Sequence, residues 1–216
     1  MIKNVYFDMD GTIIDSFPGV STGLVHAMKE FGYEVPDVDT LHKCIGPPFS
    51  YSLPNILHIK DEDYDEFVKC YRKIYTEELM LECDVYDGVK ECLTELKNRG
   101  YSITLCSSKP EAACRQILEY HNMTNLFTEI GGASADGRIN TKLDVIEECF
   151  RRSPWQKREE TVLVGDTKYD AEGAREAGIR CIGILWGMGT KEELLAEGAI
   201  CTLETPKDVV DYISKR

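Results

Sequence analysis

The hydrophobic and polar positions of this chain follow two different patterns. From about residue 85 onward, short apolar runs of strand length, such as residues 101–106, 161–164 and 181–185, alternate with segments whose apolar residues recur at helical spacing. A further apolar run, Val5-Tyr6-Phe7, lies near the start of the chain. Strands that alternate with helices predict a parallel sheet with helices on both faces. We therefore predict an α/β fold with a doubly wound, Rossmann-like parallel sheet.

Residues 15–84 show helical spacing and no convincing strand. One helix is predicted to begin near Ser16 and to end at Gly32, because the apolar positions between them fall on one helical face. A second helical stretch covers residues 61–81. The Pro-rich segment 45–50 lies between the two and is predicted to be a loop.

The first strand needs the later strands as partners, because a single strand cannot satisfy its backbone groups alone. The helical segment therefore interrupts a sheet that is completed only further along the chain. We predict a core domain formed by residues 1–14 and 85–216, with residues 15–84 as a helical insertion.

The composition of the chain argues against several kinds of binding partner and structural site. The chain has 216 residues, a formal net charge of -13 and a pI near 4.8, so a nucleic acid polymer would be repelled. Nine cysteines, an odd number without a Cys-x-x-Cys pair, argue against a disulfide framework or a structural zinc site and are expected to be reduced thiols. Neither a signal-peptide pattern nor an apolar stretch of membrane-spanning length is present. We therefore expect a cytoplasmic protein without a membrane partner. The sequence carries no signal for the oligomeric state, for which a monomer is the default expectation.

The pentapeptide Asp8-Met9-Asp10-Gly11-Thr12 follows the first predicted strand directly. Neighbouring strand residues point to opposite faces, but a loop can turn both carboxylates toward one pocket, with Gly11 supplying the tight turn and Thr12 a hydroxyl. An ordinary polar turn between a strand and a helix is the alternative interpretation. Two carboxylates directly after a strand favour a catalytic or ligand-binding role over an ordinary turn.

Further polar groups follow other predicted strands. Ser107-Ser108-Lys109 and Gly165-Asp166 each come directly after a strand, Asp170 follows the second of them, and Lys142 lies at the start of a helix. Each fragment alone has an ordinary interpretation as a helix cap, a solvated lysine or a loop. Because the carboxyl ends of parallel strands meet at one sheet edge, where ligands bind in such folds, the fragments are expected to converge there.

In this order, the pentapeptide, Ser107, Lys142 and Gly165-Asp166 with Asp170 resemble the motifs of the haloacid dehalogenase superfamily. The resemblance covers nearly the whole chain and points to phosphatases related to phosphoglycolate phosphatase and to a bacterial 5′-nucleotidase-like branch. It implies that residues 15–84 are the small helical cap of that superfamily. It also implies a phosphoric monoester hydrolase acting on a small phosphorylated metabolite.

The resemblance implies a role for each matched residue in phosphoryl transfer. Asp8 would attack phosphorus and form an aspartyl-phosphate, and Asp10 would protonate the leaving alkoxide and later deprotonate water. Lys142 would screen the charge of the phosphate from the attacking carboxylate. Ser107 and Thr12, with nearby backbone N–H groups, would hydrogen-bond the phosphoryl oxygens.

The same resemblance implies Mg²⁺ as the cofactor. Hard oxygen ligands suit this ion, and Asp8, Asp166 and the backbone carbonyl of Asp10 would supply three of them. Asp170 would support these ligands from the second coordination shell.

Other branches of the superfamily fit the residues less well. Dehalogenases lack the second aspartate because they have no alkoxide to protonate, whereas Asp10 is present here. Phosphonatases use a cap lysine as a Schiff base, but most lysines of the insertion lie on predicted helix faces and are expected to be solvated: Lys29, Lys43, Lys60, Lys69 and Lys73. Phosphosugar mutases retain both aspartates, so a phosphotransferase stays open.

The leaving group is expected to be recognised by the cap. The loop Gly46-Pro47-Pro48 is a candidate for this contact, with a rigid structural turn as the alternative. Arg72 and His42 are expected to lie on the surface or in packing, with recognition of a carboxylate, a second phosphate or a base as the alternative. Trp186 is expected to pack in the core or a loop, with a place in the pocket wall as the alternative. Similarity in this loop favours a nucleoside 5′-monophosphate over phosphoglycolate or a sugar phosphate. A non-catalytic phospho-acceptor module is a further alternative, although a receiver domain of that kind is shorter, lacks the cap and places its aspartate after a middle strand.

Overall fold

The computed structural model describes residues 1–47 and 49–216. The strands, in chain order, are β1 (Asn4–Phe7), β2 (Ile14–Asp15), β3 (Asp84–Val85), β4 (Ser102–Pro110), β5 (Glu129–Ala133), β6 (Thr161–Gly165), β7 (Arg180–Ile184) and β8 (Cys201–Leu203). Within the described residues, a six-stranded sheet has the order β5-β4-β1-β6-β7-β8, and its neighbouring strands are parallel. This arrangement confirms the predicted α/β fold with a parallel sheet.

The helices alternate with the strands in the second half of the chain. The α-helices, in chain order, are α1 (Phe17–Glu30), α2 (Val38–His42), α3 (Phe49–Asn55), α4 (Tyr64–Ile74), α5 (Val89–Asn98), α6 (Glu111–Tyr120), α7 (Lys142–Arg152), α8 (Lys168–Glu176), α9 (Lys191–Ala196) and α10 (Pro206–Ile213). A π-helical turn, Tyr75–Leu79, continues α4, and short 3-10 turns cover Thr124–Leu126 and Arg158–Glu160. In the described part of the chain, no helix combines the length and the apolar character needed to traverse a bilayer.

The chain divides into two compact units, one formed by residues 1–14 and 85–216 and the other by residues 15–84. The first unit contains the six-stranded sheet and helices α5 to α10, and the second contains helices α1 to α4. The short strands β2 and β3 pair with each other where the chain passes from one unit to the other. The role of residues 15–84 as a cap stays a prediction.

Strands β1 and β6 lie in the middle of the sheet and are buried along their whole length. Their sequences, NVYF and TVLVG, carry mostly apolar residues toward both faces, as expected for strands covered by helices on both sides. Leu163 of β6 packs in a buried cluster with Val145 and Ile146 of α7 and Ala174 of α8. Full burial of one large aliphatic side chain stabilises a fold by about 1.5–3 kcal/mol. Tyr6 of β1 belongs to the same cluster, so this packing holds β1 and the start of the loop after it in place.

The insertion differs in detail from the predicted pattern. The sequence predicts a loop over residues 45–50, whereas α3 begins at Phe49 and α2 precedes it. These two helices have five and seven residues and are too short to show helical periodicity. A local signal starts α2, because the Asp37 side chain accepts a hydrogen bond of 2.7 Å from the backbone N–H of Thr40. The predicted helix over residues 61–81 is α4 continued by the π-helical turn.

Candidate active site

The loop after β1 is folded tightly around one carbonyl group. The backbone N–H groups of residues 12–14 all donate to the carbonyl of Met9. Gly11 has a φ of +78°, a left-handed conformation that other residues adopt only with strain. A Cβ atom at Gly11 would also lie only 2.1 Å from Oδ2 of Asp166. Glycine is therefore required here both by the backbone and by the space beside Asp166.

Lys142 is a buried lysine in the first turn of α7. Its ammonium lies 2.7 Å from Oδ1 of Asp8 and 2.8 Å from Oδ1 of Asp170. It also donates to the backbone carbonyl of Cys106 at 2.9 Å. Thr141 begins α7 with a capping box, which fixes the residue at which the helix starts. The structure thus brings Lys142 onto Asp8, and the helix cap determines where the ammonium lies.

Burial and the neighbouring charges act in opposite directions on both members of this pair. Burial raises the pKa of Asp8 to about 6, against the opposing effect of the Lys142 charge. Burial alone would lower the pKa of Lys142, but the carboxylates of Asp170 and Asp8 outweigh it and raise that pKa well above its ordinary value. Lys142 is therefore a cation at neutral pH, where Asp8 is mostly ionised.

Asp166 follows β6 and is completely buried. Its Oδ1 accepts a hydrogen bond of 2.9 Å from the Thr12 hydroxyl, and its Oδ2 accepts one of 2.9 Å from the backbone N–H of Met188. A Cβ atom at Gly187 or at Gly189 would come within 2.4 Å of an Asp166 atom. The turn that contains these two glycines therefore lies so close to Asp166 that neither position has room for a side chain.

The Thr12 hydroxyl has one proton, which it donates to Asp166. The predicted hydrogen bond from Thr12 to a phosphoryl oxygen stays a prediction, and in the structure this hydroxyl holds a carboxylate in place. Trp186 is half-buried, and its Nε1 donates to the Thr12 carbonyl at 3.0 Å. The tryptophan thus packs on the loop after β1, as the packing interpretation of its position predicts.

Asp8, Asp166 and Asp170 each offer a carboxylate oxygen, and these oxygens all lie within 4.8 Å of one another. Oδ1 of Asp8 and Oδ1 of Asp170 are buried and, although close to Lys142, receive no aligned hydrogen bond. Burial raises the pKa of Asp166 well above its ordinary value, and the negative charges of Asp170 and Asp8 raise it further. Crowded hard oxygens of this kind suit a divalent cation. The residues present fit a metal site, in which Asp170 lies beside the two side chains predicted as ligands.

Asp10 pairs with a different lysine. Nζ of Lys109 lies 2.9 Å from Oδ1 and 3.1 Å from Oδ2 of Asp10, so the ammonium contacts both oxygens. The Ser107 hydroxyl is buried and accepts a hydrogen bond of 3.3 Å from the backbone N–H of Lys109. The sequence places Lys109 at this sheet edge but assigns it no role, because a lysine before a proline at a helix start is ordinary. The Asp10 carbonyl as a metal ligand and Ser107 as a phosphate donor stay predictions.

Of the residues within 15–84 that the sequence singles out, those that the structure describes lie mostly on the surface. His42 stacks on Phe17 with ring centroids 3.6 Å apart, and Arg72 is exposed on α4. In the loop Gly46-Pro47-Pro48, Pro48 lies outside the described residues, so the predicted substrate contact of this loop stays a prediction. The lysines considered for Schiff-base chemistry are all exposed, as their solvated interpretation predicts.

Comparison with known proteins decides the family of this chain. The model of the haloacid dehalogenase-like hydrolases matches residues 5–184. The chain belongs to the haloacid dehalogenase-like hydrolase family. This match confirms the resemblance carried by the aspartate, serine and lysine motifs.

This hydrolase is similar to proteins that are named for several different activities. It is 32% identical to a tyrosine-protein kinase of Mycobacterium tuberculosis over 86% of the chain, but it spans only 62% of that protein's length. It is 30% identical to a 5′-nucleotidase of Pseudomonas aeruginosa, covering 89% of the chain and 87% of that protein. A phosphoglycolate phosphatase of Aquifex aeolicus is 29% identical over 97% of the chain and 95% of its own length. The crystal structure of a predicted phosphatase from Clostridium acetobutylicum matches all of both chains, with a TM-score of 0.94 and 31% identity.

In this hydrolase Gly173 of α8 gives the Lys142 side chain its space. A Cβ atom at Gly173 would lie 2.7 Å from both Cβ and Cγ of Lys142. Gly173→Ala is therefore expected to displace Lys142 and to lower kcat for an aryl phosphate about 10- to 100-fold, with a stability loss of about 1–3 kcal/mol from overpacking. Steady-state kinetics and thermal unfolding measure the two effects. Glu176→Ala, at an exposed position of the same helix, is the matched control, and an unchanged kcat in folded Gly173→Ala would refute this role of the glycine.

Proposed function

We propose that this hydrolase is a Mg²⁺-dependent phosphatase that hydrolyses a small phosphorylated metabolite through an aspartyl-phosphate on Asp8. The observation that carries the proposal is the buried pair of Asp8 and Lys142, 2.7 Å apart, which lies beside Asp166 and Asp170. An anionic carboxylate attacks a phosphate dianion only when cations neutralise the charge between them. Lys142 supplies one such cation next to the attacking oxygen.

The bond changes of the proposed reaction use only Asp8, Asp10 and water. A carboxylate oxygen of Asp8 bonds to phosphorus as the bond to the leaving oxygen breaks, and Asp10 donates a proton to the leaving alkoxide. Water then attacks the phosphorus of the aspartyl-phosphate while Asp10 accepts a proton from it. The bond between phosphorus and Asp8 breaks, which releases phosphate and restores the carboxylate. Ser107 is proposed to donate a hydrogen bond to a phosphoryl oxygen.

The acidic cluster is the proposed metal site. Asp8 and Asp166 would hold Mg²⁺ through their side chains, with the carbonyl of Asp10 as a further proposed ligand. Asp170 would support them from the second coordination shell, because its Oδ2 accepts from the Thr167 N–H and hydroxyl and its Oδ1 lies 2.8 Å from the Lys142 ammonium. When bound, the ion neutralises charge on the phosphoryl oxygens and on the crowded carboxylates. The two lysines of the site, Lys109 and Lys142, do not neutralise its negative charge. When all groups are ionised, four carboxylates face these two ammonium groups.

Asp166→Asn tests the metal site without reference to turnover. We expect Mg²⁺ to raise the melting temperature of the wild-type protein, because the ion binds the folded state and relieves carboxylate repulsion. The variant lacks one of these charges, and its amide oxygen can still accept the Met188 N–H. It is therefore expected to melt about 2–4 °C higher than the wild type when both are metal-free, and to show little further shift with Mg²⁺. Thermal unfolding in EDTA and in Mg²⁺ measures both effects, and equal Mg²⁺ shifts in the two proteins would argue against this site.

The substrate is proposed to be a nucleoside 5′-monophosphate, with phosphoglycolate or a sugar phosphate as the alternatives. The similarities to the 5′-nucleotidase and to the phosphoglycolate phosphatase are nearly equal, at 30% and 29% identity. A phosphate-release screen with Mg²⁺ over nucleoside monophosphates, phosphoglycolate and sugar phosphates separates these classes. We expect one class to reach a kcat/KM on the order of 10⁴ M⁻¹s⁻¹ or more. Stable phosphorylation of Asp8 without phosphate release would instead indicate a phospho-acceptor module.

A phosphotransferase is the second candidate, and the similarity to a tyrosine-protein kinase favours it. Hydrolysis and transfer share the attack by Asp8 and differ in what accepts the phosphoryl group. Incubation with ATP and a tyrosine-containing peptide distinguishes them. A hydrolase is expected to release inorganic phosphate and leave the peptide unmodified, whereas phosphorylation of the peptide that depends on Asp8 would support the transferase.

A further inference from the structure

Lys109 is a lysine whose side chain is almost fully buried at the edge of the sheet. Its side chain is 6% exposed and that of Asp10 is 19% exposed. The Lys109 ammonium contacts both carboxylate oxygens of Asp10, at 2.9 and 3.1 Å. A charged contact to both oxygens restrains the carboxylate plane, and the partial burial of the pair reduces its screening by solvent.

The backbone of Lys109 is fixed on several sides. Its N–H donates to the Ser107 hydroxyl at 3.3 Å, and its carbonyl accepts from the Cys114 thiol at 3.7 Å. Gly132 of β5 lies so close that a Cβ atom there would come within 2.8 Å of the Lys109 carbonyl oxygen. The ammonium therefore extends from a rigid base, which is what precise placement of a partner side chain requires.

We propose that Lys109 is a positioning residue that holds Asp10 as an oriented carboxylate for hydrolysis of the aspartyl-phosphate. The inference rests on the proposed function and deepens it. In this step the water oxygen bonds to phosphorus, Asp10 accepts the water proton, and the bond from phosphorus to Asp8 breaks. Lys109 makes and breaks no bond. A base displaced by about 1 Å can cost 10²-fold in rate, so fixing the Asp10 side chain affects this step directly.

Pre-steady-state hydrolysis of 2,4-dinitrophenyl phosphate isolates the step, because its leaving group needs no proton. With the full chain and Mg²⁺, Lys109→Met is expected to release a burst of about one dinitrophenolate per active site and then to turn over about 10- to 100-fold more slowly than the wild type. Its kcat/KM, which reports the first transfer to Asp8, is expected to change less than about 3-fold. Aspartyl-phosphate should accumulate, and KM should fall together with kcat.

Two variants show whether Lys109 acts through its charge and through Asp10. Lys109→Arg retains the charge and is expected to recover most of the steady-state rate. The double variant Asp10→Asn/Lys109→Met is expected to be no slower than Asp10→Asn alone, because the two residues act as one unit. Lys3→Met, which removes the exposed ion pair of 2.8 Å with Glu160, is the matched control and should leave both constants unchanged. Lys109→Gln replaces the methionine variant if the latter does not fold.

The outcomes separate this inference from the proposed function. A parallel loss of kcat and kcat/KM without a burst, or additive losses in the double variant, overturns the inference and indicates that Lys109 binds the phosphate directly. A wild-type protein that releases no dinitrophenolate overturns the proposed function and this inference together.

Discussion

Replacing Asp8 by asparagine is expected to abolish turnover of an aryl phosphate, with kcat lowered roughly 10⁴-fold or more. The amide has nearly the same size as the carboxylate but lacks the anionic oxygen that is proposed to attack phosphorus. The fold should persist, because the substitution removes a charge from a cluster of three buried carboxylates. Phosphate release, followed in parallel with thermal unfolding, measures both expectations.

The matched control for Asp8→Asn is Asp87→Asn, which makes the same change at an exposed position of the same unit. The control should retain the activity and the melting temperature of the wild type. Mass spectrometry of the wild-type protein, quenched in acid during turnover, should find the phosphoryl group on Asp8. Substantial turnover by a folded Asp8→Asn variant would exclude Asp8 as the nucleophile.

Lys142→Met is expected to lower both activity and stability. Without the ammonium, Asp8 and Asp170 lose the cation that lies 2.7 and 2.8 Å from their oxygens. Removing one partner of a buried ion pair typically costs about 3–5 kcal/mol, which corresponds to roughly 10 °C in melting temperature for a chain of this size. Loss of a charge beside the reacting phosphate is expected to lower kcat on the order of 10³-fold.

Stability and activity of Lys142→Met should respond differently to Mg²⁺. The ion is expected to restore part of the melting temperature, since it neutralises the same carboxylates, but it cannot replace a cation held next to Asp8 by α7. Lys90→Met is the control, because Lys90 is exposed and donates to a backbone carbonyl outside the site. A melting temperature equal to that of the wild type in the absence of metal would contradict the role of Lys142 in charge balance.

The meeting of Asp8 with Lys142 could be predicted from the sequence, whereas several contacts of the site could not. Buried strands appear as apolar runs, and parallel topology places the residues that follow them at one edge. The contacts that fix each side chain follow no such periodic pattern. The donation from Thr12 to Asp166 and the pairing of Lys109 with Asp10 depend on loop paths and rotamers, which the apolar pattern does not encode.

The role of the glycines around Asp166 also could not be predicted from the sequence. A sequence reader sees Gly11, Gly187 and Gly189 as flexible turn residues. In the structure each would place a Cβ atom against Asp166, a clash between segments that lie far apart along the chain. Similarly, α2 and α3 are too short for a periodic signal, and α3 begins at Phe49, near the end of the stretch 45–50 that is predicted to be a loop.

The position of β1 has a consequence for synthesis on the ribosome. This strand obtains its neighbours from β4 and β6, and the Asn4 amide donates to the Thr161 hydroxyl across 157 residues. At a translation rate of about 5–20 residues per second, roughly 8–30 s pass between the synthesis of the two partners. During that interval an apolar strand with an unpaired edge remains on the nascent chain, where it is a target for chaperones and for aggregation. Asp8, the proposed nucleophile, therefore acquires its partner Asp166 only after more than 150 further residues have been made.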